Sequence, residues 1–77
     1  MSKVPRISGK DAVRAFRKAG FELDRICGSH HMLEKDGHPN TLTIPVHGNT
    51  TVGVGLLKSQ IEAAGLSVAE FIKLLRS

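Results

Sequence analysis

Apolar residues recur every three or four positions near both ends of the chain and every second position between them. Ala12, Val13, Phe16 and Ala19 follow helical spacing, and Arg14, Arg17 and Lys18 fall largely off that stripe. Ser8 stands three residues before Asp11, a capping-box-like start, and Gly20 offers a left-handed stop. The spacing predicts a helix from about Gly9 to Ala19. From Phe21 the period shortens to two, with Phe21, Leu23, Arg25 and Cys27 on one side of an extended segment and Glu22, Asp24 and Ile26 on the other. Gly28 and Ser29 form a tight turn, and His30 to Lys35 a second strand. Asp36, Gly37, His38, Pro39 and Asn40 concentrate turn chemistry. Thr41 to Ile44 alternates as a third strand, ended by Pro45, which has no N–H for a ladder.

Val46 to Val54 reads as a loop without a period, and the helical pattern resumes at Gly55 through Leu56, Leu57, Gln60, Ile61 and Ala64 to Gly65. Ser67 and Glu70 repeat the capping box, and Val68, Phe71, Ile72 and Leu75 make the apolar face of a last short helix. Helix, three antiparallel strands and two helices predict an α+β fold, a two-layer sandwich with the helices on one face of the sheet. Met32 and Leu33 are both apolar. The pattern therefore leaves open which face of the second strand meets the helices, and which of His30 and His31 points outward.

With 77 residues, the chain has material for one hydrophobic core, so residues 1–77 are expected to form a single domain. A hydrophobic share of 40% against 23% charged residues excludes a disordered tail. The net charge of +4 points to a polyanionic or acidic partner. The single thiol, Cys27, excludes an internal disulfide and a multi-cysteine zinc site; a reducing cytoplasm fits it, and at a strand end it reads as a small core hydrophobe. No run approaches the roughly 20 apolar residues of a membrane span, and Met1 to Lys10 lacks the apolar stretch of a signal peptide. A soluble, cytoplasmic protein without a membrane partner is expected.

The dense polar cluster is Gly28-Ser29-His30-His31. The chain has four His but no H-E-x-x-H and no C-x-x-C, and His38 and His47 sit in loops with no carboxylate at ligand spacing, so no metal is expected. A triad of Ser29, a His and Asp24 is disfavoured, because neighbouring strand residues face opposite ways and no nucleophile elbow surrounds Ser29. Acid-base chemistry on a polyanion remains. An imidazole titrating near neutrality can take a proton from a ribose 2′-hydroxyl or give one to a leaving 5′-oxygen without a metal. Arg25, Lys35 and Lys58 are candidates to hold the phosphate, as are the free N–H groups at the start of the second helix around Gly55. The plainer alternative makes His30 and His31 ordinary strand residues.

Several segments together resemble one family. They are the first helix closing in Ala19-Gly20-Phe21, then Gly28-Ser29-His30-His31, Thr43-Ile44-Pro45-Val46-His47, and Gly55-Leu56-Leu57-Lys58 leading into Ala64-Gly65-Leu66-Ser67. The chain resembles HicA-type toxins, small mRNA interferases of type II toxin-antitoxin pairs. The resemblance implies a fold similar to double-stranded-RNA-binding domains. It further implies cleavage of single-stranded mRNA without metal or small-molecule cofactor, and a HicB-like antitoxin as partner. It implies dependence on the His of the Gly-Ser-x-His turn, which is His31 here; Gly28, Ser29 and His30 surround it, and His47 matches another recurrent His. A non-catalytic RNA-binding module of the same fold, or a degenerate toxin that keeps only antitoxin binding, are the alternatives. The nearly charge-free start of the second helix, with Lys58 alone, disfavours a pure reader of duplex shape.

Overall fold

In the computed structural model, which describes residues 3–77 and so leaves Met1 and Ser2 of the polar lead outside the described residues, the chain forms six elements. They are α1 (Gly9–Lys18), β1 (Glu22–Cys27), β2 (His30–Glu34), β3 (Leu42–Pro45), α2 (Val54–Ala63) and α3 (Val68–Arg76). This is the predicted α+β order. Boundaries differ by a residue or so: Phe21 precedes β1, Lys35 follows β2, and β3 keeps Pro45. Pro45 is tolerated because β3 is an edge strand, and the ladder continues past it through the Val46 N–H, which donates to the Ser29 carbonyl at 2.7 Å.

Local chemistry starts the first and last helices. The Ser8 hydroxyl accepts the Asp11 N–H at 3.2 Å, and the Asp11 carboxylate turns to Arg14 at 3.6 Å, so only half of the box forms. At α3 both halves form: the Ser67 hydroxyl accepts from the Glu70 N–H at 3.1 Å, and the Glu70 carboxylate accepts from the Ser67 N–H at 2.9 Å. Ser67's backbone N–H, then its hydroxyl, then the charge of Lys73 hold the Glu70 carboxyl below its ordinary value.

The three strands form an antiparallel sheet in the order β1-β2-β3. Leu33 pairs with Leu42 and His31 with Ile44 across β2 and β3. Between β1 and β2 the register shifts at Leu23/Arg25, where Asp24 is the extra residue of a bulge. This corrects the expected alternation. Leu23 lies opposite Leu33 and Ile26 opposite His31, so these two share the core-side face, while Arg25 and Cys27 lie opposite Met32 and His30 on the other.

The core gathers Phe16, Phe21, Leu33, Leu42, Ile44, Leu57, Ile61 and Phe71, with the Phe16 ring centroid 4.9 Å from Phe71 and 6.3 Å from Phe21. The supposed patternless loop contributes too: Val52 is buried, its N–H donates to the Ile7 carbonyl at 2.8 Å, and Thr51 bridges to Ser8. α1 lies along the sheet. At its start Gly9 is buried against Pro45 and Val46, where a Cβ would collide with the Pro45 carbonyl oxygen. At its end the Ala19 carbonyl accepts from the Lys35 ammonium at 3.0 Å. α2 closes the free edge of β3, where the Gln60 side-chain oxygen accepts the Thr43 N–H at 2.9 Å. Among the described residues no such cover lies over β1, whose six residues are all exposed, Leu23 at 40% and Ile26 at 53%.

Candidate active site

The hairpin between β1 and β2 closes on the Cys27–His30 pair. Its two-residue loop has positive φ at Gly28 (+60°) and not at Ser29, the pattern of a type II′ turn. The Ser29 carbonyl is fixed to β3 through Val46, so the turn is held from both sides. His31 follows directly. It lies between Ile26 and Ile44 on neighbouring strands and shares the core-side face with Leu33. His30 is exposed on the other face. The ambiguity left by Met32 and Leu33 is thereby removed.

The His31 ring is half-buried, and its Nδ1 is buried without a hydrogen-bond partner among the described residues. Buried polar atoms are nearly always paired. This one sits at the hairpin end of the sheet, beside β1, in a residue that is only half-buried, so the enclosed Nδ1 is set against the fold and exchange with a bound molecule falls to the other ring nitrogen, Nε2. Proton transfer to or from a bound molecule is the chemistry such a group can perform.

The other predicted groups are dispersed. Arg25 extends over the opposite face, its Nε 3.3 Å from the Met32 sulfur and 3.9 Å from the Asp24 carboxylate. Lys35 lies past the far end of β2, about 13 Å along the strand from His31 at the usual rise, and its ammonium holds Ala19 and lies 5.7 Å from the Phe21 ring centroid. Lys58 is exposed on α2. The α2 start has a Gly53 cap without a side-chain bond and no acid in its first turn. Gly28, Ser29, His30 and His31 are thus contiguous at the hairpin, whereas Arg25 and Lys35 are not brought to the His31 ring.

The two remaining histidines stand in loops. The His38 Nε2 lies 2.7 Å from the Ala63 carbonyl oxygen, to which the Asn40 amide also donates at 3.0 Å, and its ring meets Phe21 edge-on at 5.2 Å. His47 is exposed, with its carbonyl accepting the Thr50 N–H at 2.9 Å. Among the described residues no three His, Cys, Asp or Glu side chains gather as a metal site, and no helix is long and apolar enough to cross a membrane. Cys27 is exposed, contrary to its expected core role, because it pairs with His30 on the outer face of the uncovered strand.

One cluster escaped the sequence reading. Lys10, Arg14, Arg17 and Lys18 line an open groove of about 520 Å³ along α1 together with Val13. The signal lay in the basic positions that fell off the apolar stripe, which amphipathicity alone explained.

Compared with known families, the chain matches the family model described as the HicA toxin of bacterial toxin-antitoxin over residues 9–66, from the first residue of α1 to just beyond α2. No curated protein matches the chain.

Proposed function

Since the chain belongs to the HicA toxin family of bacterial toxin-antitoxin systems, we propose that it is a metal-independent endoribonuclease that cuts single-stranded mRNA in the cytoplasm, with His31 as the catalytic proton-transfer group. The observation that carries this reading is the half-buried His31 at the end of the hairpin, whose Nδ1 is enclosed without a partner among the described residues and whose Nε2 is left for proton exchange. The imidazole takes the proton of a ribose 2′-hydroxyl; the 2′-oxygen then forms a bond to the adjacent phosphorus as the bond from phosphorus to the 5′-oxygen breaks. The 5′-oxygen leaves with the proton that the His31 imidazolium gives back, which restores the neutral ring, and the other fragment ends in a 2′,3′-cyclic phosphate, which water opens to a 3′-phosphate. Gly28 and Ser29 border the reacting phosphate at the hairpin, His30 stands on the outer face of the same turn, and Lys58 supplies charge from α2. Arg25 and Lys35, turned elsewhere, assist only longer substrates.

The toxin role implies an antitoxin, and a HicB-like protein lying across the His31 side is the partner we infer. Leu23 and Ile26 are exposed on His31's own face and offer the apolar centre that such a contact needs. An interface on the order of 1,200–2,000 Å² in total would cover the ring by simple occlusion.

Induced expression of wild type, His31→Ala and His30→Ala, with growth and mRNA integrity followed together, tests the reading. His31→Ala should lose roughly 10²- to 10⁴-fold in cleavage and all toxicity, and His30→Ala much less, since the two rings lie on opposite faces. Purified protein should cut RNA in EDTA and leave cyclic or 3′-phosphate ends. Products with 3′-hydroxyl ends, cutting only with added divalent ions, or equal loss in both variants would overturn it.

A further inference from the structure

Four of the eleven Lys and Arg residues stand at positions i, i+4, i+7 and i+8 of α1: Lys10, Arg14, Arg17 and Lys18. That spacing places them on one stripe of the helix. They form an open groove whose remaining lining residue among those described is Val13, with no acidic side chain of the described residues along it. Asp11 reaches Arg14 from the side at 3.6 Å, with both groups exposed, and the Lys18 ammonium also donates to the Ser77 carbonyl. The opposite face of α1, with Ala12, Ala15 and Phe16 buried, does most of the packing, joined by the half-buried Val13 at the edge of the groove. Folding draws on these groups only at the Asp11 pair, the Ser77 contact and the last helical turn, where Arg17 and Lys18 suit the helix dipole. It gains nothing from lining four like charges along one stripe, where they repel one another. A bound polyanion would relieve that repulsion.

We propose that this groove is a docking track for the phosphate backbone of a single RNA strand, leading it to the His31 end of the molecule; the proposal rests on the ribonuclease reading for its substrate. Direction follows from how α1 is fixed. Its first residue abuts Pro45, the cross-strand neighbour of His30, and its last turn is held by Lys35 at the opposite end of β2. Lys10 thus stands at the hairpin end of the track and Lys18 at the far end. An acidic protein surface is the other class of polyanion. RNA fits better, because Val13 alone cannot supply the desolvated apolar centre of a protein interface, whereas evenly repeated single charges match cations spaced along one line.

The test uses the full chain carrying His31→Ala, so that the probe stays intact, and a fluorescent single-stranded RNA oligomer titrated at several KCl concentrations. Lys10→Gln, Arg14→Gln and Arg17→Gln together should lower affinity at least tenfold and reduce the slope of log affinity against log salt by about 2, at roughly 0.7 per lost phosphate contact. Gln keeps helix propensity, so circular dichroism should not change. The charge-preserving set Lys10→Arg, Arg14→Lys and Arg17→Lys should retain the wild-type slope. With His31 intact, the Gln set should raise KM for long RNA and leave kcat on a dinucleotide unaltered.

Unchanged affinity and slope in the Gln set, or no RNA binding by the parent chain, would overturn the track. Unchanged RNA binding with a weakened antitoxin complex would assign the groove to the acidic protein instead. The two readings fail separately: α1-dependent binding without cleavage by the His31-intact chain removes the ribonuclease and leaves the track. Cleavage with α1-independent binding does the reverse.

Discussion

His31 carries a cost that an ordinary strand residue would not. Its Nδ1 is removed from water and finds no partner among the described residues, and an unmet buried polar atom typically costs about 1–3 kcal/mol. His31→Leu keeps most of the side-chain bulk and removes that nitrogen, so urea unfolding should show stability raised by about 1 kcal/mol while cleavage is lost. A clear destabilisation would mean that the ring is tied into the fold. The residue itself was legible, since the Gly-Ser-x-His turn stands in the sequence as a unit. Its face was not, because Met32 and Leu33 are both apolar and alternation admits either register. Lys35 teaches the converse. Its charge suggested phosphate, yet the turn at Gly20 brings the Ala19 carbonyl within 3.0 Å of the ammonium, an encounter between residues 16 positions apart that no local pattern encodes.

Elements opened by a complete side-chain exchange were the easiest to read. Ser67 and Glu70 form both bonds of the box, whereas Asp11, one methylene shorter than Glu, leaves the Ser8 box half made. The α3 cap also carries a pH signature. Glu70 has its folded-state value lowered below the ordinary 4.5, so the stability it adds is present in full above that ordinary value and is lost as pH falls through the folded value. Melting temperatures of wild type and Glu70→Gln should therefore differ by a constant margin at neutral pH, and the margin should shrink as the solution is taken below about pH 4.5. A margin that holds at low pH would remove the carboxylate from the cap. β1 was the hardest element. Its composition alternates convincingly, but the bulge at Asp24 inserts one residue, and a single residue reverses every later side chain. Only the partner strand records that shift.

At the scale of the molecule the helices are distributed unevenly over the sheet. α1 and α2 pack on β3, α3 packs on α1, and β1 is left as an open edge whose neighbour on one side is solvent. The α+β order and most of the core could be read from periodicity; this asymmetry could not, because hydrophobic pattern says which face of a strand is buried and not how far a helix layer extends. It matters for function, since the open strand is the one opposite His31 and carries the exposed apolar pair Leu23 and Ile26.

An uncovered strand is also a loosely fastened one. β1 is held by a single ladder and the packing of Phe21 before it, while β2 and β3 share the buried Leu33, Leu42 and Ile44. Local opening free energies follow such differences in buried contact. In native-state hydrogen exchange the backbone amides of Glu22–Cys27 should open well below the global unfolding free energy, and those of Leu42, Ile44, Leu57 and Ile61 close to it. Exchange of β1 in step with the core would show the strand to be part of one cooperative unit. If β1 peels away alone, β2 remains clamped to β3, and the strand bearing His31 stays in register while its neighbour detaches and returns. The molecule then breathes at the flank of its own reactive group, and any partner seated on that flank would register first as a slowing of β1 exchange.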